Sequence, residues 1–180
     1  MKIAKQLRDS NIAEYLLYMW QLEDTLRAYG CDADRLAEDY VPRFGLTPDE
    51  SRREAQWLAD LCTMMREEGT TERGHLQMNR GTLAMLTDLH LQLLDSTKQP
   101  FYSAAYYKAL PFIVELRSKS GRQNMPELEN CFEALYGTML LRLQQRPVSA
   151  ETQEALAHIS HLLALLADAW KKDKAGELEL

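Results

Sequence analysis

Apolar residues recur every three or four positions along nearly the whole chain, the period of a helix with one buried face. Ile12, Leu16, Met19, Leu22 and Leu26 form the first stripe. Asn11 and Glu14 precede it as a capping box, in which the Asn side chain accepts an orphan backbone N–H and the Glu reaches back. Gly30 supplies the stop. A short acidic helix is predicted over roughly 32–40, ended by Pro42. The clearest start is Thr47, with Pro48 at the first helical position and Glu50 completing a box. That helix carries Trp57, Leu58, Leu61 and Met65 and stops at Gly69. Residues 69–79 read as the longest internal loop, followed by a helix from about Asn79 to Asp95 with Leu83, Leu86, Leu89 and Leu93 on one side. Phe101 to Lys119 is aromatic-rich, holds Pro111 inside it and is expected to end at Gly121. Pro126 opens the next helix, with Leu128, Phe132, Leu135, Met139 and Leu143, and Pro147 closes it. Ser149 caps the last, where Leu156, Ile159, Leu163, Leu166 and Trp170 form a narrow seam and Gly176 is the stop. No strand-like alternation or hairpin signal interrupts this pattern. The expected fold is all-α, a single-domain antiparallel helical bundle of six or seven helices over residues 1–173, with 174–180 as a C-terminal tail.

Composition narrows the function classes. The chain has 180 residues, 46% of them apolar, enough for one domain with a substantial core. Lys and Arg number 21 against 27 Asp and Glu, a net charge of −6. That balance argues against a nucleic-acid partner, whose binding runs on excess positive charge. The charges are spread over helix faces, which reads as solubility. No stretch approaches the ~18 consecutive apolar residues of a membrane span, and the basic N-terminus lacks the apolar run and cleavage site of a signal peptide. The three cysteines, Cys31, Cys62 and Cys131, are far apart and odd in number. They read as buried thiols in a reducing cytoplasm, not as a disulfide framework or zinc knuckle.

Several blocks are distinctive: Asn11 to Asp24 (NIAEYLLYMWQLED), Leu86 to Leu94 (LTDLHLQLL), Phe101 to Arg117 (FYSAAYYKALPFIVELR) and Glu127 to Gln144 (ELENCFEALYGTMLLRLQ). With Lys171 to Leu180 they resemble, over nearly the whole chain, an uncharacterised family of small all-helical proteins from Bacteroidota, a domain of unknown function. The resemblance implies a cytoplasmic bacterial protein and a fold shared along the full length. It carries over no catalytic residue.

The polar residues that interrupt apolar seams are the candidate sites. Pro111 removes the helical partner of the Tyr107 carbonyl and should kink its helix. Tyr106, Tyr107 and Lys108 beside that kink, with Arg117 beyond, could form a pocket for a small ligand or anion; the plainer reading is a core helix whose tyrosine hydroxyls find local partners. Glu23 continues the first apolar stripe, and an unpaired carboxylate there costs several kcal/mol, so it needs a partner or access to water. His90 holds a similar place between Leu86 and Leu93. A Glu23–His90 pair would be a general-base arrangement; the alternative is two boundary side chains reaching water. Glu72 and His75 have the spacing of one half of a di-iron motif, but only once and in a loop. His158 and His161, joined by His90 or Asp168, could hold a metal, although both flank the apolar seam as surface histidines would. No metal, cofactor or catalytic residue is assigned. The leading expectation is a non-enzymatic interaction or self-associating protein, with a homodimer the commonest assembly. The alternatives are a metal-dependent or acid–base enzyme around Glu23, His90, Tyr106 and His158, or a small-ligand-binding module at the proline-containing helix.

Overall fold

The computed structural model describes residues 2–120 and 125–180; the expected stop at Gly121 lies outside the described residues. Among them there is no strand. There are eight α-helices: α1 (Lys2–Ser10), α2 (Ile12–Ala28), α3 (Ala33–Arg35), α4 (Pro48–Glu67), α5 (Gln77–Asp95), α6 (Pro100–Ser120), α7 (Glu127–Leu143) and α8 (Ala150–Ala175). Their contacts divide into two compact units, one of residues 1–10 and 14–82 and one of 11–13 and 83–180.

In the first unit, α1 is a helix the apolar period did not announce, because only Ala4 of its nine residues is buried. The expected acidic helix over 32–40 is a composite. Asp32 caps a single α-helical turn by accepting the Asp34 and Arg35 N–H groups. A π-helical turn follows over Leu36–Tyr40, in which the Val41 N–H reaches back to the Leu36 carbonyl. Pro42, which has no N–H to donate, lies in the tighter 3₁₀ turn Val41–Phe44. The Thr47 box is fully formed: Thr47 Oγ1 accepts the Glu50 N–H at 3.4 Å and Glu50 Oε2 accepts the Thr47 N–H at 3.1 Å. Thr47 and the nearby Lys2 ammonium both hold the Glu50 carboxyl below its usual range, the hydrogen bonds from Thr47 first. Buried Leu16, Met19, Trp20, Leu26, Leu36, Leu58, Leu61, Met65 and Leu76 make the core of this unit.

In the second unit, α6 packs on α8 and on α7, and α7 packs on α8. The core is drawn from Leu86, Leu93, Ala109, Ile113, Phe132, Ile159, Leu162 and Leu166. Phe112 of α6 stacks on His158 of α8, with centroids 4.8 Å apart and planes 11° from parallel. Helix α6 is continuous through Pro111, which is exposed. The carbonyl that proline leaves without a helical donor, that of Tyr107, is thus on the solvent side, where water can take the donor's place. At α8, Ser149 accepts the Thr152 N–H at 3.2 Å, and Gly176, at φ 71°, ends the helix two residues beyond the expected start of the tail.

Candidate functional site

Each unit holds one buried polar constellation, and each can be built from its helices. In the first unit the centre is Glu23, 1% exposed on the inner face of α2. Its Oε1 accepts the Leu76 N–H at 2.9 Å and the Asn79 amide at 2.6 Å; its Oε2 lies 2.6 Å from His75 Nδ1. Leu76 is the residue that opens α5: its carbonyl accepts the Asn79 and Arg80 N–H groups. Its own N–H goes to Glu23, and the Gln77 N–H goes to Glu68 at 2.6 Å. Two carboxylates, one from α2 and one from the residue just after α4, therefore cap α5, satisfying orphan donors at the positive end of its dipole. His75 is stacked on buried Trp20, with centroids 4.2 Å apart and planes 14° from parallel. Arg27, one turn beyond Glu23, ties the same loop to α2. Its Nε donates to the Thr70 carbonyl at 3.1 Å, its Nη2 donates to the Gly74 carbonyl, and Nη2 lies 3.9 Å from Glu23 Oε2.

The Glu23 carboxylate accepts from His75 Nδ1 and fixes the orientation of the imidazole ring. The His75 side chain is 21% exposed. Asn79 Oδ1, buried beside the carboxylate, accepts no hydrogen bond among the described residues.

In the second unit, His90 Nδ1 lies 2.6 Å from the Tyr102 hydroxyl, and the Tyr106 ring meets His90 edge-on at 5.3 Å. The Tyr106 hydroxyl donates to Glu127 Oε2 at 2.7 Å, and Arg117 Nη2 lies 4.0 Å from Glu127 Oε1. Burial lowers the His90 pKa. Burial raises Tyr102, and it pushes Tyr106 up to about 12 with help from the Glu127 carboxylate. Cys131 is likewise pushed up to about 12 by burial first and Glu127 second. At neutral pH this group is a neutral imidazole, two protonated phenols and a thiol around one carboxylate. It holds its protons, which suits a hydrogen-bonded scaffold and not an ionised nucleophile.

The sequence candidates therefore separate. Tyr106, Arg117 and His90 share one constellation, joined by Tyr102 and Glu127, which the periodicity of the chain did not single out. Glu23 and His90, weighed as a pair from sequence, each have partners within their own unit. Tyr107, 68% exposed, and Lys108 are on the outer face of α6. The second unit carries a cleft of about 540 Å³ whose lining includes Phe101, Tyr102, Leu165 and Lys172, and another of about 330 Å³ between Met139, Arg142 and Leu156; neither is lined by Tyr106, Tyr107 or Lys108. His158 is stacked on Phe112 and His161 is exposed. Among the described residues, no group of three or more His, Cys, Asp or Glu is placed to hold a metal ion, and no helix is long and apolar enough to cross a membrane. His75 was visible in sequence only as half of a metal motif. Its real signal was a histidine just before the first turn of α5, awaiting a carboxylate 52 residues away in the chain.

A family model matches residues 1–177. The chain belongs to that family, "Domain of unknown function (DUF4924)". Neither a curated protein nor a solved structure matches it. The DUF4924 match spans both units, so the Glu23–His75 and Tyr106–Glu127 constellations both fall inside it.

Proposed function

We propose that this DUF4924 chain is a non-enzymatic, self-associating helical bundle of the bacterial cytoplasm, and that its partner is a second copy of itself. One observation carries the reading. Phe101 is 85% exposed, Tyr107 68% and Val114 54%, all on α6, with Pro111 exposed between the last two. Tyr107, Pro111 and Val114 stand at i, i+4 and i+7, hence on one face. Phe101, exposed at the start of the helix, lies about 120° round it from Tyr107. Exposed apolar side chains gathered on one helix face are a mark of interaction sites, tyrosine is prominent among residues that carry binding energy, and two-fold homodimers are the commonest soluble assembly. The acidic balance supports a protein partner over a nucleic acid. Three free, buried thiols suit a reducing compartment. The resemblance to Bacteroidota proteins supports a bacterial source, and a family match running over 1–177 supports treating the chain as a single domain.

Sedimentation velocity from low to high micromolar concentration tests the proposal. The wild-type chain is expected to shift from monomer to dimer. Tyr107→Glu and Val114→Glu, both at exposed positions, are expected to stay monomeric with an unchanged helical circular-dichroism spectrum. A wild-type chain that sediments as a monomer throughout, or variants that dimerise as it does, would overturn the reading.

A second reading, an acid–base enzyme, has the Glu23–His75 contact in its favour, because a carboxylate that fixes an imidazole tautomer is how a general base is oriented. It requires that His75→Gln abolish a turnover detected on a panel of ester and phosphate-ester substrates. Equal rates in the two proteins would discard it.

A further inference from the structure

We propose that the cleft between α7 and α8 binds a medium-chain fatty carboxylate, its head on Arg142 and its alkyl chain along Met139 and Leu156. The cleft has a volume of about 330 Å³, within the range of small-ligand sites. Its two walls follow one rule. Leu135, Met139 and Arg142 stand at i, i+4 and i+7 on α7, and Gln153, Leu156 and Ser160 stand at i, i+3 and i+7 on α8. Each helix therefore turns a single face into the cleft. The connection 144–149 reverses the chain, which puts Arg142 and Gln153 at the loop end and Leu135 and Ser160 at the far end. Between these ends the walls are apolar, with Leu156 only 5% exposed and Met139 half-buried.

The polar groups of the cleft are not equivalent. Thr138 Oγ1 donates to the Ala134 carbonyl at 2.9 Å and Gln153 Nε2 to the Val148 carbonyl at 2.9 Å, so both are committed to the backbone. Arg142 is exposed, and among the described residues its guanidinium has neither a hydrogen bond nor an ion pair. It is not needed as a helix cap either. The carbonyls of Leu140, Leu141 and Arg142 in the last turn of α7 already accept the N–H groups of Gln144, Arg146 and Gln145. None of the described residues that line the cleft is Asp or Glu, in a chain of net charge −6. The cleft thus offers one unpaired cation in an acidic molecule. A planar carboxylate matches the guanidinium fork with two parallel hydrogen bonds. The length of the occupant follows from the helices: seven residues rise about 10 Å, which suits an unbranched chain of medium length. That chain removes the Met139 and Leu156 side chains from water, and the unbranched thioether of Met139 adapts to its shape. The cleft is built from α7 and α8 alone, so this site is separate from the α6 face proposed for self-association.

Octanoate is titrated into the full chain by isothermal calorimetry, with acetate and octylamine in parallel. Octanoate is expected to bind saturably, one per chain. Acetate, which has the head without the chain, should bind much more weakly, and octylamine, whose head is a cation, should not bind. Arg142→Gln is expected to raise the octanoate Kd by about tenfold or more. Ala157→Leu, at an exposed position on the α8 wall, should also weaken binding by filling the cleft. Tyr107→Glu should bind as the wild type does. In methyl-labelled protein, the Met139 resonance, assigned with Met139→Leu, should shift along the same titration. Absence of saturation up to about 1 mM octanoate, equal binding of octylamine, unchanged affinity in Arg142→Gln, or shifts at other methionines with Met139 still would each overturn the proposal. The comparison of octanoate, acetate and octylamine is made on the wild-type chain, so no variant needs to fold for it to be decided.

Discussion

Truncating Glu23 leaves three donors facing nothing: the Leu76 N–H, the Asn79 amide and His75 Nδ1. Breaking a buried, charge-assisted cluster from one side costs about 3–5 kcal/mol, and Glu23→Ala is expected to lose stability in that range by urea denaturation. Glu23→Gln should lose less, because its amide oxygen still accepts from Leu76. Equal, small losses for the two would show that the carboxylate does not hold the start of α5. His90 makes a prediction in pH. Burial disfavours its charged form, so its pKa in the fold lies below its unfolded value. The unfolded chain then binds the proton at higher pH than the folded chain does. Stability from this group is complete above the unfolded value of about 6.5 and falls as pH drops through it toward the folded value. The urea midpoint should therefore fall between neutral pH and the low fives, and His90→Gln should flatten that slope; an unchanged slope would count against the assignment. At this scale the sequence was informative about need and silent about partner. A carboxylate on the stripe of Leu16, Met19 and Leu26 announces that it must be satisfied, but a partner 52 residues away is invisible to local pattern.

At the scale of the element, Pro111 is the sharpest case. A proline inside a helix costs about 3 kcal/mol relative to alanine, and here it stands exposed in an unbroken helix. Pro111→Ala returns an N–H to the Tyr107 carbonyl. It is expected to raise the thermal midpoint, with a gain of up to about 3 kcal/mol; a lower midpoint would mean that the proline ring itself packs against something that matters. The helices with strong caps were legible in sequence, with Thr47 and Ser149 opening α4 and α8 as the box and cap patterns require. The segment 32–44 was not, because three kinds of helical turn share its hydrogen bonds. Nor was α1, whose single buried residue leaves little periodicity to read.

For the molecule as a whole, the proposed pairing of two copies through the exposed face of α6 would make stability depend on concentration. A partner that binds only the folded chain raises the unfolding midpoint by mass action. The wild-type midpoint is therefore expected to rise with protein concentration, while that of Tyr107→Glu stays constant. A wild-type midpoint independent of concentration would agree with a monomer and count against self-association.

The starts of α4 and α8 and the stop at Gly176 were decided by the sequence alone, because a cap, a proline or a left-handed glycine acts within four residues along the chain; the start of α5, capped by Glu23 and Glu68, was not. The same locality explains the all-helical class, read from apolar spacing. Which polar groups meet was decided only by the tertiary structure. Glu23 took His75 and Tyr106 took Glu127. Those pairings join residues 21 to 52 positions apart. They depend on how whole helices pack, and the rotation of one helix by a third of a turn would exchange every partner while leaving its apolar period unchanged.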